Sequence, residues 1–243
     1  MMARAAKTAR PAGAEKKGPL TGPVEDYLKA IYAIGKGTGP AATNEIAQRL
    51  ALAPASVSGM VRRLADQGLL AYERYHGVKL TDAGRLAALR TLRRHRVIEA
   101  YLSRALGYPW DRVHEEAERL EHAASDELVD RMAVMIGEPD VDPHGAPIPT
   151  REGAVDETEY TSLAELAPGT TGVVVRVTDE DPEILRYLGE LSIRPGTRLT
   201  IRKRAPFDGP ITLTVGKQEF SIGPAVAARV LIAPARDRGA KRR

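Results

Sequence analysis

The run His114-Glu115-Glu116-Ala117-Glu118-Arg119-Leu120-Glu121-His122 holds residue types that can bind a divalent cation. Wound as a helix, at about 100° per residue, His114, Glu118, Glu121 and His122 fall within about 100° of one another. Two imidazoles and two carboxylates then share one side of the helix. Val113, Ala117, Leu120, Ala124 and Leu128 form an apolar stripe beside them, so the polar group borders a packed face and is partly desolvated. Carboxylates so placed repel one another unless they share a proton or a cation. A divalent metal resolves that conflict. The same spacing also fits a solvated charged face with incidental histidines, and the rest of the chain must decide between the two. A second pair, His95 and Glu99 at i, i+4, can share one ligand.

Composition narrows the chemistry. The chain has no cysteine, which excludes thiolate zinc sites, iron–sulfur clusters and disulfides and leaves nitrogen and oxygen ligands. The 243 residues, 43% hydrophobic, suffice for one large domain or two to three small ones. No apolar run reaches the length of a membrane span, and residues 1–19 lack the apolar segment of a signal peptide. A cytoplasmic protein without a membrane partner is expected. The net charge of +4 conceals an asymmetry. Residues 20–95 hold 11 Lys and Arg against 6 Asp and Glu, whereas residues 96–235 hold 15 against 24. The basic first half suits a phosphate backbone and the acidic remainder suits a cation.

The elements that position these residues follow from periodicity and punctuation. Gly22 to Gly35 is helical, and Gly35 to Pro40 breaks it. Thr43 is expected to cap a second helix, Asn44 to Leu50. Pro54 opens a third, where proline is tolerated in the first turn, and Gly68 ends it. Leu69 to Arg74 and Val78 to Leu80 flank a Tyr75-His76-Gly77 turn. Three helices and a hairpin is the winged helix-turn-helix order. Its third helix offers Ser56, Ser58, Arg62 and Arg63 on the polar side, and the hairpin offers Tyr75, His76 and Lys79, residue types that contact phosphates and base edges. A long helix, Asp82 to Ala105, then serves as a dimerisation strut. Asp111 is expected to cap the organising helix and Ser125 the next, Asp126 to Ile136.

Residues 22 to about 150 resemble the diphtheria-toxin-repressor family of metal-dependent transcriptional regulators. The motifs that carry the resemblance are Glu25-Asp26-Tyr27-Leu28 with Ile31-Tyr32, Val57-Ser58 with Gly68-Leu69, and Leu80-Thr81 with Gly84. They continue with His95 and Glu99, the His114 to His122 run followed by Ser125-Asp126-Glu127, and Pro143 to Pro149. The fold implied is mainly α with a small β domain: a winged helix-turn-helix, a helical dimerisation domain and a C-terminal SH3-like β-barrel. The expected boundaries are a disordered basic arm at 1–21, the DNA-binding domain at 22–94, and the metal-binding and dimerisation domain at 95–154. The SH3-like domain follows at 155–235 and a basic tail at 236–243. Strand-like runs at 172–177, 197–203, 211–215, 219–222 and 229–232, with a short helix at 181–191, agree with that last module.

The resemblance implies a primary metal site of Asp26, Glu118, Glu121 and His122, and an ancillary site of His95, Glu99 and His114, with Asp181 or Glu180 as the ligand from the SH3-like domain. Iron-type members place a cysteine where this chain has Glu118 and a methionine where it has Asp26. Hard carboxylates suit manganese better than later metals, so Mn²⁺ is the expected cofactor and Fe²⁺ the alternative. Against a binuclear manganese centre, Lys29 stands where short manganese-type members carry a second glutamate, and His114 is iron-like. The expected function is a metal-dependent repressor that acts as a homodimer on palindromic, double-stranded operator DNA and controls metal homeostasis. A regulator answering to a small molecule would share the DNA reader but not two acid/His groups, so no organic substrate is expected. An enzyme is not expected either: Glu118 stands where a zinc hydrolase of the His-Glu-x-x-His type needs its second histidine.

Overall fold

A computed structural model describes residues 20–73, 75–178 and 180–235. The basic tail and the basic arm, except for Leu20 and Thr21, lie outside them. Helix α1 (Gly22–Ile34) takes Pro23 in its first turn and buries Val24, Tyr27, Leu28 and Ile31, the i, i+3, i+4, i+7 set of one apolar face. Helices α2 (Thr43–Arg49) and α3 (Pro54–Asp66) complete the three-helix unit. Thr43 is not the cap of α2. Ala42 holds that position, and Glu45 Oε2 accepts its N–H at 3.0 Å. Strands β1 (Leu70–Glu73) and β2 (Gly77–Leu80) form the antiparallel wing, and Ala41 pairs with Val78 beside it.

Helix α4 (Asp82–Leu106) starts at Thr81, whose hydroxyl accepts from Gly84 N at 3.1 Å. Gly84 is required here, because a Cβ would stand 2.0 Å from the Leu69 carbonyl oxygen. Its absence lets α4 lie against the base of the wing. Helix α5 (Val113–Leu120) ends before Glu121, which keeps right-handed helical angles, and His122 follows in a turn. The organising run is therefore a helix of two turns plus its C-terminal turn. Asp111 does not cap it; Arg112 occupies that position, and the Asp111 carboxylate pairs with Arg186 at 3.4 Å. Helix α6 (Asp126–Met135) has the expected Ser125 cap, with Leu128 N donating to its Oγ at 3.2 Å.

The C-terminal part is a six-stranded antiparallel sheet in the order β3-β8-β4-β5-β6-β7. The strands are β3 (Thr161–Ser162), β4 (Thr171–Val177), β5 (Arg198–Arg204), β6 (Ile211–Val215), β7 (Gln218–Ile222) and β8 (Val230–Pro234). Helices α7 (Pro182–Glu190) and α8 (Pro224–Ala227) lie in its connections. Strand β3, read from sequence only as a lead-in, pairs with β8.

Three apolar clusters hold the chain: one in the winged helix, one where α4 meets α5 and α6, and one in the β domain. Trp110, in the loop before α5, belongs to the β-domain cluster and is 5% exposed. Arg194 stacks over its ring at 5.0 Å. Residues 155–160 return across the helices. Glu157 Oε1 accepts from Arg85 at 2.6 Å and from the Tyr32 hydroxyl at 3.3 Å.

Candidate metal centre

Four segments converge between the helices and the β domain: α1, the middle of α4, α5 with its following turn, and the loop 140–147. Among the described residues, three groups bring His and carboxylate atoms close enough to share an ion: Asp26 with Glu121 and His122, His95 with His114 and Glu118, and Glu99 with Asp142 and His144. A cleft of about 790 Å³ is lined by Lys29, His95, Glu99, His114, Glu118 and Glu180, among others.

In the first group, α1 supplies Asp26 and the end of α5 supplies Glu121 and His122. His122 Nε2 lies 2.9 Å from Asp26 Oδ1 and 3.5 Å from Glu121 Oε1, and its Nδ1 is 2.7 Å from Glu25 Oε2. Arg94 donates to Glu25 and, at 3.3 Å, to Asp126, so the histidine is oriented by a carboxylate that is itself anchored. Burial raises the Asp26 carboxyl above its usual range. Burial opposes charge on His122, yet Glu25 and the nearby carboxylates raise it.

The second group lies deeper. His95 Nδ1 is 2.5 Å from Glu121 Oε2 and 3.4 Å from Glu118 Oε1. Its Nε2 is 3.1 Å from both His114 Nδ1 and Glu99 Oε1. Two imidazole nitrogens facing each other beside carboxylates form a convergent donor set of the kind a divalent ion needs. His95 and Glu99 are both buried. Burial opposes the charge on His95, but Glu99 and Glu121 push its imidazolium up to about 10. Against its own burial, Glu99 is held well below the carboxylate range by that imidazolium.

Relative to the sites expected from sequence, Glu118 falls nearer His95 and His114 than to Asp26 and His122. Glu99 is shared with the third group. Of the two candidates from the β domain, Glu180 faces the site: its Oε2 is 3.7 Å from His114 Nε2 and its Oε1 is 3.7 Å from Arg49. Asp181 instead caps α7, accepting from Glu183 N at 2.8 Å.

The third group was not anticipated as a donor set. Asp142 and His144 stand two apart in a loop and are both buried. Asp142 Oδ1 accepts from His144 N and Ala146 N at 2.8 and 3.0 Å, and burial pushes its carboxyl up to about 6. His144 Nε2 donates to the Trp110 carbonyl at 2.8 Å, and its Nδ1 lies 3.8 Å from Glu99 Oε1. The loop reaches this position because Gly145, at φ +87°, lies where a Cβ would meet the Val175 carbonyl at 2.0 Å. Val177 N then donates to the His144 carbonyl at 2.9 Å.

Comparison with known proteins agrees with this anatomy. The model of the iron dependent repressor N-terminal DNA binding domain matches residues 19–78, that of the family's metal binding and dimerisation domain matches 81–150, and the FeoA domain model matches 161–234. A solved manganese-dependent transcriptional repressor in complex with manganese superposes with a TM-score of 0.81 at 37% identity, covering 87% of this chain and 100% of that one. The chain belongs to the iron-dependent repressor family. The iron-dependent repressor IdeR of Mycobacterium tuberculosis is 29% identical over 225 residues, 88% of this repressor and 97% of the relative. The transcriptional regulator MntR of Lysinibacillus sphaericus is 35% identical over 113 residues, 46% of this repressor and 81% of the relative.

On the DNA-reading side of this repressor, α3 buries Val57, Val61 and Leu64 and leaves Ser56, Ser58, Arg62 and Arg63 exposed. Ser58 Oγ donates to the Pro54 carbonyl at 3.0 Å. Tyr75, with φ +67°, is 87% exposed at the wing tip, and Lys79 is half-buried on β2. Tyr72, absent from the sequence-derived set, is 62% exposed on β1. Strand alternation gave no signal for it, because Tyr72 stands two residues after buried Leu70 and should share its face.

Proposed function

We propose that this chain is a manganese-responsive repressor in which metal binding at the convergence of α1, α4 and α5 sets the orientation of the winged helix for operator DNA. The observation that carries this reading is the junction at His122. Asp26 comes from the DNA-reading unit and Glu121 and His122 from the helical unit, so one small group spans both. Asp26, Glu121 and His122 would hold one ion. His95 and His114, with Glu118, Glu99 and Glu180, would hold a second, and Asp142 and His144 extend that donor set. The ion would supply positive charge that cancels repulsion among these carboxylates. Glu25, held by Arg94, keeps the His122 ring turned toward Asp26. Trp110 and Gly145 keep His144 in place and tie the β domain to the same centre.

An all nitrogen-and-oxygen donor set favours Mn²⁺ among the metals of this family, with Fe²⁺ the second reading. The exposed apolar side chains Leu120, Leu128, Val134 and Met135 on α5 and α6 suit a second copy of the chain. Two copies would present α3 to half-sites about one helical turn, roughly 34 Å, apart on a palindromic operator. The repressor then acts in the cytoplasm, on DNA, with no organic substrate and no catalysis. Ser56, Ser58, Arg62, Arg63, Tyr75 and Lys79 are its proposed DNA contacts.

The test is binding of duplexes enriched from a random pool, at fixed salt, across free Mn²⁺, Fe²⁺ and Zn²⁺ with a chelated control. Tightening by metal, strongest with Mn²⁺, is the expected result. Equal affinity with and without metal would sink the proposal.

A further inference from the structure

Lys29 sits one turn after Asp26 on α1, and its ammonium is already inside the donor cluster. It donates to Glu118 Oε1 at 2.5 Å and to Glu121 Oε1 at 2.7 Å. The lysine side chain is 18% exposed and that of Glu121 is fully buried. Burial opposes charge on this ammonium, but Glu121 and Glu118 outweigh it and raise the lysine further. Glu121 belongs to the group of Asp26 and His122 and also reaches His95, whereas Glu118 belongs to the group of His95 and His114. A cation covalently fixed to α1 therefore lies between two carboxylates from α5 and its C-terminal turn.

We propose that Lys29 is a resident counter-ion that competes with metal. Without metal, its ammonium bridges Glu118 and Glu121, offsets one of their two negative charges and keeps α1 docked on the end of α5. To bind metal, those carboxylates must exchange a tethered monovalent partner for a divalent one. Lys29 thus raises the metal concentration at which the repressor responds and makes the metal-free protein less loose than carboxylate repulsion alone would leave it. The inference rests on reading the cluster as a metal centre.

A merely structural ion pair and a competing counter-ion predict different behaviour when the charge is removed. Lys29→Met keeps the length and removes the charge; Lys29→Arg keeps the charge. Full-length wild type and both variants, stripped with chelator, are titrated with Mn²⁺ by calorimetry, and their metal-free melting is followed by circular dichroism. Lys29→Met should bind Mn²⁺ about tenfold more tightly or better, the scale of one charge-assisted hydrogen bond. It should also melt about 5 °C lower without metal, because two carboxylates lose their partner. Lys29→Arg should track wild type in both. A Met variant with unchanged or weaker Mn²⁺ affinity overturns the counter-ion role and leaves the metal reading intact. No Mn²⁺ binding by any of the three chains overturns both. Should Lys29→Met fail to fold without metal, Lys29→Gln, which keeps an N–H donor but no charge, is read by the same criteria.

Discussion

The two ends of the candidate centre are built on opposite terms. At the α1–α5 junction, Asp26 and His122 are reachable by solvent, and their elements belong to different structural units. In the interior, Glu99, Asp142, Glu121 and His95 are buried and satisfied by one another, by Arg96 and by backbone N–H groups. A buried polar network pays its desolvation in full and is stable only if each member is paired. A half-exposed junction pays little and can be made or unmade cheaply. The interior is therefore suited to hold geometry, and the junction to report on an ion.

The comparison breaks most severely at Trp110. Trp110→Ala removes an aromatic side chain from the β-domain core and loosens the peptide that holds His144. It should cost about 3–5 kcal/mol in denaturant unfolding, as for other buried aromatic truncations. A loss below about 1 kcal/mol would mean that the interior is not anchored through this residue.

Asp26→Ala tests the junction. We expect Mn²⁺-dependent tightening on operator duplexes to fall by about a hundredfold, while stability moves by less than about 1 kcal/mol, because the side chain is part-exposed. A variant that kept the full metal response would remove α1 from the centre.

The pH dependence of metal-free stability sharpens the contrast. The His95 imidazolium is raised in the folded state from 6.5 to about 10, so the folded protein binds more protons than the unfolded chain across that window. Its contribution is complete below 6.5 and is lost as pH rises through about 10. Thermal melting of wild type in chelator should therefore fall more steeply over this range than that of His95→Gln. Parallel slopes would show that His95 carries no excess proton.

The smallest effect is expected at Glu157. Its pairing with Arg85 is largely exposed, and Glu157→Gln should cost only about 0.2–1 kcal/mol. A larger loss by urea unfolding would promote the 155–160 segment from a surface strap to part of the structural frame.

Local signals in the sequence were enough for much of this architecture. The proline at the start of α3, the Ser125 cap and the hairpin turn each act within a few residues, and each appears where its chemistry requires. The spacing of His114, Glu118, Glu121 and His122 was also legible, because helical angles persist to Glu121 even though the helix ends at Leu120. Distant partners decided the rest. Asp111 could cap α5, but Arg186 of α7 claims its carboxylate. Trp110 acquires its core position only when the β domain folds over it. Asp142 and His144 carry no periodicity, and only the approach of Gly145 to β4 makes their loop part of the centre.

Helix α4 gives the arrangement a mechanical consequence. His95 lies 13 residues after Asp82, a separation of about 20 Å at 1.5 Å per residue. The glycine contact at Leu69 rests the wing directly on the far end of that rod. Pivoting at His95 by about 10° would carry that end through roughly 3.4 Å, the rise of one base pair. Such a pivot at the proposed ion site would be read, at the other end of one helix, in the unit in which DNA sequence is counted.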